Sequence, residues 1–202
     1  MDVYDVSINP GSATFEKFFD KITDKEPFKY DDSVPFFNIL IPTNDTVKYK
    51  EIMSLLANNG YNSLFMGETG VGKSVIIMDY LKNENSGSFI YKSSNFSAKT
   101  NSKNIFDILK TTIYKNGNFA PPAGKKFIYF IDDINLPQLD QFGAQQPIEF
   151  VRQLIDNKML YDEKKTKRTI KDTIFISACA PPSGGRNPVT PRLFRHFNMI
   201  WM

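Results

Sequence analysis

The stretch "GETGVGKS", Gly67 to Ser74, lies between two apolar runs, "SLFM" and "VIIM". Its fixed positions are Gly67, then four residues, then Gly72, Lys73 and Ser74, which is the spacing of a phosphate-binding P-loop, with a strand expected before it and a helix after it. Glycines at these positions allow positive φ and let the backbone N–H groups turn inward, while the opening of the helix adds the positive end of its dipole. The cavity so formed suits a polyphosphate. Lys73 is expected to reach the β- and γ-phosphates, and the Ser74 hydroxyl to take one place on a magnesium ion that otherwise keeps several waters.

Further along, "FIYFIDD" is an apolar strand ending in Asp132 and Asp133. On a strand buried on both faces, carboxylates are expected only at the end that opens on a site, because an unpaired buried charge is costly. Asp132 is assigned to the magnesium shell, and Asp133 to orienting or deprotonating an attacking water.

The chain around these motifs alternates strand and helix. After an extended segment in "VPFFNILIPTNDTVKY", Thr43 or Asp45 is expected to cap a helix that closes at Gly60. Strands follow at "NSLFM", "SFIYKS", "KFIYFIDD", "TIFISACA" and "FNMIWM", with helices after Ser74, through "NIFDILKTTIYK" and through "PIEFVRQLIDNKM". This order predicts an α/β fold of three layers, a central parallel sheet with helices on both faces. The charged stretch "YDEKKTKRTIKDTIF" predicts a hairpin insertion whose solvated tip carries Lys164, Lys165, Lys167 and Arg168. Residues 1–33 read as an N-terminal extension packed on a single module spanning 34–202.

Composition narrows the remaining classes. Among 202 residues, 25 basic and 22 acidic side chains leave a net charge of +3, too near balance to imply nucleic acid. The apolar runs are too short to span a membrane and the first residues do not form a signal peptide, so an intracellular chain is expected. One cysteine, Cys179, and one histidine, His196, exclude an internal disulfide and a His/Cys zinc site. Cys179 is expected to be a buried, inert thiol.

From about Asp31 onward the chain resembles an AAA+ module of a dynein heavy chain, most closely the third module of the motor ring. The resemblance is carried by "VPFFNILIPTNDTVKY", "GETGVGKS", "NFSAKT", "FIDDINLPQLDQFGAQQPIEFVRQLID" and "ACAPPSGGRNPVTPRLFRHF". The paired aspartates and "PPSGGRNPVTPR" look more like axonemal than cytoplasmic dyneins. This resemblance implies ATP or ADP with magnesium, held by Gly67, Glu68, Thr69, Gly70, Val71, Gly72, Lys73 and Ser74, with Ile41, Pro42 and Thr43 beside the adenine. It implies that Arg192 and Arg195 face the nucleotide of an adjacent module.

The implied partners are neighbouring modules of the same heavy chain, microtubules through the complete motor, and dynein intermediate and light chains, with neither nucleic acid nor membrane. The implied location is the cytoskeleton of the cytoplasm and the axoneme of a cilium or flagellum. Chain length suggests a segment that stops before the helical lid of such a module. Two departures predict slow hydrolysis: Asp133 stands where these hydrolases usually carry glutamate, and Ala180 occupies a sensor position that is often asparagine. Two other readings are a nucleotide-holding structural module without turnover and a free-standing P-loop NTPase. The paired acids and "RLFRH" argue against a kinase.

Overall fold

The computed structural model describes residues 5–9, 11–18, 20, 39–84, 87–115, 117–183 and 185–202. The expected extended segment before Ile39 and residues 21–33 of the N-terminal extension lie outside the described residues. The extension begins with a hairpin of β1 (Val6–Asn9) and β2 (Thr14–Lys17), antiparallel, with Val6 opposite Lys17. Phe18, just beyond it, is buried.

Helix α1 (Asn44–Asn58) starts at Thr43, whose hydroxyl accepts from Thr46 N at 3.3 Å while Thr43 N donates to Thr46 Oγ1 at 2.7 Å. Of the two candidate caps, the structure uses Thr43. The helix ends at Asn59, and Gly60 follows at φ +77°, the left-handed conformation that glycine adopts without a Cβ penalty.

The chain then runs through β3 (Ser63–Met66), α2 (Lys73–Asn83), β4 (Phe89–Asn95) and α3 (Ser102–Ile113). The small hairpin β5 (Tyr114–Lys115) and β6 (Asn118–Phe119) follows, then β7 (Lys126–Asp132) and α4 (Gln146–Asn157). The hairpin insertion β8 (Met159–Tyr161) and β9 (Lys167–Thr169) leads to β10 (Thr173–Cys179), the short α5 (Pro191–Phe194) and β11 (Asn198–Trp201). Five strands form the central sheet in the order β11-β3-β10-β7-β4, every neighbouring pair parallel.

Side-chain alternation along the strands sorts the core into two layers. On β7, Phe127, Tyr129 and Ile131 face one side with Ile105 and Leu109 of α3 and Val151 and Leu154 of α4. Ile128 and Phe130 face the other with Met53 and Ala57 of α1 and Ile76 and Ile77 of α2. Coverage on both faces is why β7 and β10 read as almost continuous apolar runs rather than alternating ones. Tyr129 keeps its hydroxyl satisfied by Ser94 Oγ at 2.8 Å, and burial pushes its pKa up to about 12.

Two sequence expectations need correcting. The helix expected to continue through Lys115 stops at Ile113, because Tyr114 turns extended (ψ 118°) and the chain reverses. Gly117 at φ +83° serves that reversal, which buries Phe119 against the Tyr114 ring at 5.0 Å. In the insertion, Lys164 and Lys165 lie at the tip, but Lys167 and Arg168 belong to β9. Arg168 is drawn inward by Asp162 at 2.9 Å and by Gly117 O at 3.2 Å.

Because Phe130 is 2% exposed between α2 and the sheet, Phe130→Ala should destabilise the chain by about 3–5 kcal/mol. Urea unfolding should show a lower midpoint with an unchanged slope.

Candidate functional site

Parallel strands place all their carboxyl ends at one edge, where open α/β sheets bind ligands. At that edge β3 runs into Gly67. An added Cβ at Gly67 would meet Met202 O at 2.6 Å, so the loop begins where only glycine fits against passing backbone. Gly70 and Gly72 hold φ near +93° and +92°. Glu68, Thr69, Gly70 and Val71 are exposed and form the lip of the loop, and Ser74 is half-buried on the first turn of α2.

Helices α1 and α3 both open with capping boxes, from Thr43 and Asn101. Helix α2 opens at Gly72 with no side-chain cap. Helix α4 also lacks a side-chain cap but carries proline in its first turn; at α2 the uncapped first-turn N–H groups adjoin the glycine loop, the arrangement of an anion site.

Lys73 is 8% exposed, and its Nζ donates to Gly67 O at 2.8 Å and Glu68 O at 2.7 Å. An ammonium has three donors, so these two bonds leave one for a ligand oxygen. Buried lysine, uncapped helix and glycine cradle together fit a polyphosphate.

Two strands away, β7 delivers Asp132 and Asp133, both half-buried. Asp132 Oδ1 accepts from Asp133 N at 3.0 Å, which leaves its other carboxylate oxygen for a cation. Asp133 sits at φ +49°, a left-handed conformation that side-chain-bearing residues adopt at a cost of order 1 kcal/mol.

Between β3 and β7, Cys179 at the end of β10 senses both sides of the site. Burial raises its thiol pKa to about 11, with Lys73 pulling it down and Asp133 pushing it up. The ends of β3 and β7, which lead to Lys73 and to Asp133, flank the end of β10. Their juxtaposition follows from the register, Cys179 beside Met66 and Ser177 beside Ile131.

Helix α1 runs opposite to the strands. Its last turn accepts Lys126 Nζ at Asn58 O, by the start of β7, whereas Tyr49 reaches Trp201 O at 3.3 Å, near the end of β11. Ile41, Pro42 and Thr43 thus stand at the same edge as the P-loop, with Ile41 62% exposed.

The two candidate arginines differ. Arg192 is exposed on α5, while Arg195 binds Asp156 of α4 at 3.1 Å, in a cluster with Arg152 and His196. Asp156 is partly desolvated, but His196, Arg195 and Arg152 together hold its carboxyl below the usual range. That cluster staples α5 to α4.

Two residues of the site were not singled out by the sequence reading. Arg186 forms an ion pair with Asp133 at 3.4 Å, and the buried Asn135 donates from Nδ2 to Ala180 O at 2.8 Å. Arg186 is the arginine of "GGRNP", and nothing local distinguishes it from Arg192 or Arg195.

This fold and loop define a P-loop NTPase of α/β type. Residues 28–202 match the model of the P-loop containing dynein motor region, and the chain belongs to that family. It is 45% identical to dynein axonemal heavy chain 6 of Homo sapiens over 86% of its length, and 45% identical to dynein axonemal heavy chain 12 of Rattus norvegicus over 80%. Against dynein axonemal heavy chain 2 of Mus musculus the identity is 36% over 99% of the chain. The chain spans only 4%, 5% and 4% of those three relatives. A solved structure from Cytophaga hutchinsonii superposes with a TM-score of 0.51 at 17% identity, covering 77% of this chain and 46% of that one, a likeness of fold.

The buried Cys179 should resist maleimide near pH 8 in the folded chain and react on unfolding. Since its folded pKa is raised to about 11 from 9.0, the stability linked to the neutral thiol is present below pH 9 and is lost as pH rises through 11. Labelling rates against pH, with and without urea, check both statements.

Proposed function

We propose that the chain is the large subdomain of a nucleotide-binding AAA+ module, the third in the ring of an axonemal dynein, which binds ATP or ADP with magnesium and hydrolyses ATP slowly. The observation that supports this best is the buried Lys73, held by the carbonyls of Gly67 and Glu68 in the loop that follows β3, at the sheet edge where the paired strands also end in Asp132 and Asp133. The Gly67–Ser74 backbone and Lys73 would hold the phosphates, Ser74 and Asp132 the metal, and Ile41–Thr43 the adenine. Magnesium would neutralise charge on the phosphate oxygens.

Asp133 would orient a water whose oxygen bonds to the γ-phosphorus as the bond to the bridging oxygen breaks; the water's proton passes toward the carboxylate and ADP leaves with the bonding electrons. Asp133 is one C–C bond, about 1.5 Å, shorter in reach than glutamate, and a misplacement of about 1 Å can cost on the order of a hundredfold. Ala180 supplies no side-chain donor. Arg192 would act on the neighbouring module's nucleotide, and Arg195, anchored to Asp156, would hold α5 in position for it.

In the complete heavy chain this module would regulate a microtubule motor in the axoneme of a cilium or flagellum, beside the other modules of the ring and with intermediate and light chains in the full complex. The relatives' names support that placement. A second reading, nucleotide held without turnover, is favoured by one observation: Asp133 is already engaged by Arg186.

Lys73→Ala should weaken binding of a fluorescent ADP analogue by about 2–3 kcal/mol, the scale of a charge-assisted hydrogen bond. Unchanged affinity would exclude this site. Phosphate release should be very slow in the 202-residue chain and rise in Asp133→Glu, most clearly with neighbouring modules present. No release under either condition supports the second reading, and sustained turnover by the chain alone points to a self-sufficient NTPase.

A further inference from the structure

The loop after β10 folds back over the end of β7. Arg186 N donates to Ser183 O at 3.1 Å, Asn187 N to Asn135 O at 3.0 Å, and Asn187 Nδ2 to Pro137 O at 2.9 Å. The first bond closes a turn within the loop, and the two from Asn187 tie it to the segment that follows Asp133. From there, Arg186 Nη2 reaches Asp133 Oδ1 at 3.4 Å, with the two side chains 20% and 29% exposed.

One contact of that length uses little of a guanidinium that carries five donors. Arg186 Nε is buried and has no partner among the described residues. A donor in that position favours any conformation that gives it an acceptor. Asp133, at φ +49°, is held in a backbone conformation that likewise needs support from its surroundings.

On the reading of the site proposed above, on which this inference rests, Asp133 must come within hydrogen-bond reach of a water, and that water within about 3–3.5 Å of the reacting phosphorus. A guanidinium already touching Asp133 then lies within one side-chain swing of a γ-phosphate. The γ-phosphate carries more charge than a carboxylate and offers several oxygens to the planar fork, Nε included.

We propose that Arg186 is a positioning residue that exchanges partners within its own module: it pairs with Asp133 in the absence of a γ-phosphate and with the γ-phosphate when ATP binds, so that Asp133 turns to the water only behind ATP. Arg186 thereby distinguishes ATP from ADP, and Asp133 competes with ATP for it.

The test uses the 202-residue chain with magnesium, reading displacement of a fluorescent ADP analogue by ADP and by β,γ-imido-ATP. Arg186→Gln should weaken the ATP analogue roughly tenfold while ADP shifts by less than about twofold. Arg186→Lys, which keeps the charge but not the fork, should retain part of the preference. Asp133→Asn should tighten the ATP analogue in the wild-type background and do so much less in Arg186→Gln, whereas simple repulsion between Asp133 and phosphate would persist in both.

Equal losses for the two nucleotides, or the same Asp133→Asn effect in both backgrounds, overturns the exchange while leaving the nucleotide site standing. A wild-type chain that binds neither nucleotide overturns the site itself and the exchange with it. If circular dichroism shows Arg186→Gln unfolded, Arg186→Lys and Asp133→Asn decide: an unchanged preference in the first or no tightening in the second overturns the proposal.

Discussion

Desolvation of the central sheet governs where charge can stand in this molecule. Helices α1 and α2 cover one face and α3 and α4 the other, so a carboxylate or ammonium midway along β7 or β10 would lose its water with no compensation. The acids therefore appear only at Asp132 and Asp133, at and just past the end of β7 and beyond its last buried residue, Ile131. Since every strand is parallel, all such ends collect at one edge, and the P-loop, the acid pair and the loop after β10 converge there.

At that edge the recognition surface is built chiefly from backbone. Close approach of Met202 O explains why Gly67 admits no side chain, and the missing cap on α2 explains what its N–H groups are available for. Lys73 is kept in place by the loop's own carbonyls, so its charge stands at the mouth before any ligand arrives. Backbone and one lysine can bind phosphate without contributing to bond cleavage. Asp133 stands apart from that surface, at a positive φ and with its carboxylate paired to Arg186.

Away from the site, ion pairs fasten the elements that frame it. Asp156 gathers Arg152, Arg195 and His196, joining α4 to α5. Such partly exposed pairs contribute little individually to stability, and their effect is geometric: they hold the segment carrying Arg192 against the body of the module. In the insertion, Asp162 has its carboxyl held low by backbone N–H bonds from Thr166 and Lys164 and by Arg168.

Much was legible in the chain because it is local. The P-loop glycines, the apolar runs of β7 and β10 and the alternation of strand with helix are each written within a few residues, and they determined the fold class, the binding loop and the dynein resemblance. The sequence could not tell that α3 stops at Ile113, because the burial of Phe119 that reverses the chain is a tertiary event. Nor could it assign partners to Arg186, which it did not single out, or to Arg192 and Arg195, which it did. Three arginines within ten positions have the same chemistry, and only packing assigns the first to Asp133, 53 residues away, the second to solvent and the third to Asp156, 39 residues away. Local pattern determined which residue types stand at the sheet's edge; the tertiary structure decided their partners, because a charged side chain settles on whichever opposite charge the packed backbone brings within a few ångströms.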